Sequence, residues 1–293
     1  MAWIVESSSG DVFENLAVEE YLLDRAAEFA PALFLCRNGR AVVIGKNQNP
    51  WRECRVERLE ADGAVLARRV SGGGAVYHDR GNLNYGLILR RADYRSEDAF
   101  ALVIAALARL GFAAELVERT RLTVNGFKVS GTAFALRGGG ALHHGTLLVR
   151  SDLEPMRRLF PGGLDVAETH AVESVPAPVA NLTDFAPTLT LDDAAAALRD
   201  EFERRYSAAR RATDAEIRQW DWQDLRERRS APAWIFGRTP PFVTGHPDGP
   251  RLRVEDGVVR DVAGGAPAGW IGTPFAEIYR DWLSVESAGA RST

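Results

Sequence analysis

The stretch "RRVSGGGAVYHDRGNLNY", Arg68 to Tyr85, crowds two arginines, three consecutive glycines and several small polar groups into eighteen positions. Apolar runs flank it, "AVLA" before and "GLILR" after, so it reads as two or three strands interrupted by turns. Glycines between strands often mark only a bulge or a loose connection. Here Arg68 and Arg69 stand just ahead of them, and a guanidinium binds carboxylate or phosphate through paired N–H groups. Neighbours on a strand face opposite sides, so only one of the two can face a given pocket. Bare backbone at Gly72, Gly73 and Gly74 would let an anion take hydrogen bonds from amides. Asn82 adds a side-chain amide able to orient a phosphate oxygen. The stretch lacks the Gly-Lys-Ser/Thr of a Walker loop and the Gly-x-Gly-x-x-Gly of a dinucleotide fingerprint. Any phosphate is therefore expected on a sheet surface and not at the start of a helix.

Outward from this stretch, "NLAVEEYLLDRA" carries helical periodicity and predicts an amphipathic helix over Glu14–Ala27. "ALFLCRNGRAVVIGK" reads as a strand, a tight Asn-Gly turn and a second strand. "NPWRECRVERLEADG" predicts a short helix after Pro50 that closes at Gly63. "SEDAFALVIAALARLGF" predicts a helix capped by Ser96 and ended by Gly111. "RLTVNGFKVSGTAFALRGGGALHHGTLLV" again reads as strands joined by an Asn-Gly turn and a glycine-rich connection, and "LDDAAAALRDEFERRYSAA" is a further helix. Blocks of strands with helices between them imply an α+β fold with a largely antiparallel sheet and flanking helices. Composition changes across "RERRSAPAWIFGRTPPF", which suggests a domain over 1–228 and a small, abbreviated C-terminal domain over 229–293.

The chain has 293 residues, 46% of them hydrophobic and 26% charged, enough for a sizeable core. A net charge of −4 argues against broad nucleic-acid binding, which needs a clustered basic face. No apolar run approaches the ~20 residues of a membrane span, and the N-terminus turns polar too early for a signal peptide. Cys36 and Cys54 are the two cysteines, too few for a disulfide framework or a four-ligand metal site. A monomer in the cytoplasm is the expectation, with no nucleic acid and no membrane as partner.

A second constellation is "FKVSGTA" with "HHGTLL". A lysine after a turn is ordinarily a solvated cation, but small residues beside Lys128 leave room for a ligand along the strand. His143 and His144 diverge if both lie in a strand, so they cannot share a metal, and no metal site is assigned. One of the pair is expected in the pocket and the other in packing.

Taken together, "ENLAVEEYLL", "VVIGKNQNPW", "RRVSGGGAVYHDRGNLNY", "FKVSGTA", "HHGTLL" and "VESVPAPVANLTD" resemble the lipoate–protein ligase A family, within the biotin/lipoate ligase superfamily. The likeness spans about residues 10–185. It implies that ATP, with Mg2+, converts lipoate to lipoyl-adenylate, and that the lipoyl group then passes to a lysine of acceptor domains. Those acceptors are the E2 subunits of 2-oxo-acid dehydrogenases and the H protein of glycine cleavage. By position, Lys128 would be the catalytic cation between acyl carbonyl and phosphate. Arg69, Ser71, Gly72, Gly73, Gly74 and Asn82 would line the adenylate pocket, and His144 and Thr146 its far wall. Trp3, Phe34, Val43 or Ile44 could wall a tunnel for the acyl tail.

Two departures stand out. Thr120-Arg121 occupies the place where the family carries Asn-Asp, and the C-terminal portion looks shortened. Three alternatives therefore remain open. One is a transferase that uses a pre-formed acyl donor for lipoyl or octanoyl groups. A second is a non-catalytic lipoate-binding module. The third, a biotin ligase, is disfavoured because its glycine-arginine-rich loop is absent. An acyl-enzyme route is also disfavoured, because neither cysteine lies in the loop before Lys128 or after the histidines.

Overall fold

A computed structural model of the chain describes residues 1–160 and 162–289. Its main sheet is built from β1 (Ala2–Ser7), β2 (Ala32–Cys36), β6 (Asn82–Arg90), β7 (Ala114–Val117), β8 (Arg121–Val124), β9 (Phe127–Arg137), β10 (Gly140–Leu148) and β12 (Ala209–Ala212). Their order is β12-β1-β2-β6-β10-β9-β8-β7. Pairing is parallel for β12–β1–β2 and antiparallel from β2 onward. A smaller sheet holds β3 (Ala41–Ile44) between β4 (Val65–Arg68) and β5 (Val76–His78). A third, antiparallel sheet joins β11 (Val166–Ala167), β13 (Phe242–Gly245), β14 (Arg251–Glu255) and β15 (Val258–Ala263). The α+β expectation is met. No described helix is long and apolar enough to cross a membrane.

The two faces of the main sheet are covered differently. Helices Ser96–Arg109 and Leu191–Tyr206 bury one face through Phe100, Val103, Leu198 and Phe202. Helix α1 (Val12–Asp24) covers the other through Val18, Leu22 and Phe34 beneath it. Asp11 starts α1 by accepting bonds from the amides of Phe13 and Glu14, a cap worth about 1 kcal/mol. The helix therefore begins two residues ahead of the expected Glu14, and a separate turn, Ala26–Phe29, follows it. Ser96 is the first helical residue of its helix and not the cap, while Gly111 does end it in the left-handed region at φ +86°.

One expected hairpin is absent. The runs flanking "RNGR" become β2 and β3, which lie in different sheets. Both runs are buried along their whole length, so each needs cover on both faces and the two cannot pair as one half-exposed ribbon. The Asn-Gly pair at 125–126 does form its turn, with φ +51° and +82°, between β8 and β9. After Pro50 the chain makes only one helical turn, Pro50–Glu53, and a 3-10 turn, Val56–Arg58, before Gly63.

The C-terminal part has its own apolar cluster, with Phe242, Val254, Phe275 and Trp282 at its centre. Trp51 enters that cluster from the N-terminal part, against Phe236, Phe242 and Phe275 at 5.3, 5.7 and 4.8 Å between ring centres. Arg68, fully buried, reinforces the same joint. Its guanidinium donates to the carbonyls of Gly45, Lys46, Gln48 and Ile235 and to Thr239 Oγ1.

Candidate active site

The register places two rows of side chains across the main sheet on the α1 side. One row is Phe34, Gly86, His144 and Ala133; the next is Cys36, Asn84 and Thr146. Directly opposed residues share a face, so these rows form the floor of a cavity of about 280 Å³. It runs from β8 and β9 across to β2 and the start of α1. The three steps from β9 to β2 cover about 14 Å at the ~4.8 Å spacing of paired strands. One end is lined by Asn15, Leu16, Phe34, Asn38 and His78, and the other by Glu118, Thr120, Arg121, Lys128 and Thr146.

Lys128 is the central feature of the outer end. Its side chain folds back over Gly131, where a Cβ would lie 3.0 Å from Lys128 Cε and 3.1 Å from Nζ. The small residue expected to leave room for a ligand thus makes room for the lysine itself. The ammonium makes no hydrogen bond or ion pair with any described residue. Burial holds its pKa below the usual lysine value, and the neighbouring charges of Arg121 and then Arg69 add to the shift. An unpaired, half-buried cation is costly unless an anion completes the site.

The glycine loop forms another wall. Arg69 does not present a free guanidinium: it donates to Ser71 Oγ and to the carbonyls of Val43, Gly72 and Gly74. Its pKa falls to about 10, chiefly through burial, which Glu19 opposes. A trans peptide sets N–H opposite C=O, so drawing the Gly72 carbonyl to Arg69 turns the Gly73 amide the other way. Among described residues the amides of Gly72, Gly73 and Gly74 have no acceptor. Gly73 needs to be glycine, at φ +83°, and a Cβ on Gly74 would meet Ser174 Oγ at 3.0 Å, whereas Gly72 has open space. Ser174 ties the segment 172–175 over this loop. Its hydroxyl accepts from the Ala75 amide at 2.8 Å and donates to the buried Glu53 carboxylate.

His144 is held at both nitrogens, Nδ1 by Glu19 at 2.8 Å and Nε2 by Ser71 Oγ at 2.7 Å. His143 points to the opposite face, against Phe100 and within 3.1 Å of Tyr94 Oη, and burial pushes its pKa to about 3. His78 walls the inner end, bonded to Asn38 at 2.9 Å and pushed to about 3, first by burial and then by the charges of Arg69 and His144. Cys36 borders the cavity and Cys54 does not. Burial raises both thiols, which removes the thiolate that acyl transfer to sulfur requires.

Of the residues singled out in the sequence, Arg69, Gly73, Gly74, Lys128, His144 and Thr146 meet at the cavity. Ser71 reaches it through His144, Gly72 only through Arg69, and Asn82 by donating to the lining residue Asn84. Of the four residues expected to wall an acyl tail, Phe34 and Val43 line the cavity. Trp3 instead packs on Phe29 and under Arg210, and Ile44 lies in the cluster beneath β3. Asn15, Glu19, Asn38 and Glu118 were not anticipated. Asn15 and Glu19 are one helical turn apart on α1, a spacing that could have flagged a shared polar face.

An α+β fold with an anion-ready cavity and, among the described residues, a lysine without a counter-charge suits an enzyme that acts on an anionic substrate. The match to known proteins is more specific. Residues 11–203 match the lipoyl protein ligase A/B catalytic domain, and the chain belongs to that family. Lipoate-protein ligase A of Psychrobacter cryohalolentis is 34% identical over 249 residues, covering 82% of this chain and 73% of that protein. Plasmodium falciparum LipL1, solved in complex with lipoate, superposes with a TM-score of 0.71 at 25% identity, covering 89% of this chain and 84% of the other. A lipoate-protein ligase A bound with ATP gives 0.66 at 26% identity over 80% and 98%. The bipartite ligase of Thermoplasma acidophilum, described with its E2 lipoyl domain, gives 0.65 at 26% over 80% and 95%.

Proposed function

We propose that this lipoate–protein ligase binds lipoate along the cavity floor, carboxylate toward Lys128 and tail toward Phe34 and Asn15, and activates it with ATP. Family membership supplies the reaction class, and the observation that carries the assignment of roles is the unpaired ammonium of Lys128 over Gly131. Activation brings a carboxylate against an α-phosphate, two anions that repel. A fixed cation at their meeting point stabilises the charge that develops there without reorganising, which is usually the largest catalytic term. The amides of Gly73 and Gly74 would receive phosphate oxygens, and Arg69 would hold the loop in that orientation. His144, fixed by Glu19 and Ser71, would be the rigid far wall.

Mg2+ would supply charge neutralisation on the departing pyrophosphate. Among described residues no cluster of three or more His, Cys, Asp or Glu could hold a metal. The ion would then enter bound to the nucleotide, with at most one or two protein ligands. In this reading residues 1–228 carry catalysis and 229–293 an accessory unit, fastened through Arg68 and Trp51. The acceptor would be the lysine of an E2 or H-protein lipoyl domain.

Incubation with ATP, Mg2+, lipoate and an apo lipoyl domain should release pyrophosphate and add one lipoyl group to the acceptor by intact mass. Mass gain only when lipoyl-AMP replaces ATP and lipoate would reassign the protein as a transferase. No gain from either donor would leave only binding.

A further inference from the structure

Beside Lys128 stands a second cation, Arg121, which unlike the lysine has an ion-pair partner. Arg121 pairs with Gly131 in the β8–β9 register, lines the same end of the cavity, and keeps only 14% of its side chain exposed. Among the described residues its ion pair is with Glu118, which is 61% exposed and lines the cavity mouth. Glu118 belongs to the turn between β7 and β8, where Glu118 and Arg119 both lie in the left-handed region, at φ +49° and +60°. That region costs a non-glycine residue about 1–2 kcal/mol, and turns of this shape usually use glycine or asparagine. The strained turn swings the Glu118 carboxylate back over Arg121. With the Glu118 carboxylate largely in solvent, holding it there gains little.

We propose that Arg121 is a nucleotide-phosphate ligand, and that Glu118 is an internal stand-in for the phosphate that leaves Arg121 when nucleotide binds. The inference rests on the ligase reading for the identity of the anion. Arg121 would share with Lys128 the neutralisation of the phosphate chain, in a site where no group of three or more His, Cys, Asp or Glu among the described residues could hold a metal. A guanidinium can match phosphate through two parallel N–H bonds, and Glu118 already places one carboxylate oxygen against Arg121 Nη2.

The two members of the pair should move nucleotide affinity in opposite directions. By calorimetry with Mg·ATP, Arg121→Gln should weaken binding about 10- to 100-fold, the loss of a charge-assisted contact. Arg121→Lys should recover part of it, and Glu118→Gln should tighten binding about two- to five-fold by removing the competitor. Lipoate affinity should stay within about two-fold in each, and melting temperatures would confirm that the variants fold. Unchanged ATP affinity in Arg121→Gln overturns the proposal. So does weakening in both variants, the result expected of a merely structural ion pair, and so does a wild type that fails to bind ATP. A wild type that binds ATP yet releases no pyrophosphate with lipoate would sink the ligase reading alone.

Discussion

Arg68 and Arg69 are neighbours in the chain and face two regions built on opposite principles. On the Arg68 side lies the joint to the C-terminal part, where the guanidinium donates from all three of its nitrogens and aromatic rings are packed around Trp51. On the Arg69 side lies the cavity, where, among the described residues, Lys128 has no counter-charge and the amides of Gly72 to Gly74 have no acceptor. Arg69 itself is saturated by carbonyls, so the loop is fixed while its amides stay available. The difference teaches that one region is finished by folding and the other only by ligand. Substitutions in the joint should therefore change stability, and those in the cavity should change chemistry.

The largest stability effect should come from the joint. Trp51→Ala should cost about 3–5 kcal/mol in chemical denaturation, as expected for truncating a buried tryptophan. A smaller loss would mean that the two parts are less tightly coupled than the ring contacts imply. Gly73→Ala comes next: the left-handed backbone should cost about 1–2 kcal/mol and lower ATP affinity. Gly72→Ala, with open space around it, should stay within about 0.5 kcal/mol of the parent. Equal effects at the two glycines would show that the loop is not held as described.

The buried histidines give a pH signature on the stability side of the comparison. His143 and His78 have folded pKa values near 3 against the usual 6.5. The unfolded chain takes up these protons first, so stability is complete above about pH 6.5 and is lost as pH falls toward 3. His143→Gln should make that slope shallower in denaturation curves recorded between pH 4 and pH 7. Lys128 acts in the opposite range. Its lowered pKa means that stability rises with pH between that value and 10.5, and Lys128→Met should abolish the rise.

Much of this was readable from the sequence where local chemistry dictates local shape. Asn125-Gly126 specifies its turn through positive φ, and alternation alone separates His143 from His144. The "RNGR" segment misled because a turn signal says nothing about which sheet receives each flanking run. There Asn38 serves the site instead, accepting from Asn15 at 2.7 Å and bonding His78. Glu19 was hidden for a related reason. A glutamate on an amphipathic helix reads as solvated, and its burial depends on Gly86 in β6, where a Cβ would lie 2.9 Å from Glu19 Oε1. Arg69 was visible as a pocket residue, but besides Ser71 its partners are backbone carbonyls that no pattern of residue types announces.

Pyrophosphate release from ATP and lipoate by Lys128→Met, measured beside the parent protein, tests the role of the unpaired ammonium most directly. A fall of about 10²- to 10³-fold in turnover, the usual effect of removing one preorganised charge-stabilising group, with a melting temperature no lower than the parent's, is the outcome expected. Turnover within a few-fold of the parent would show that the charge of the reacting anions is carried elsewhere.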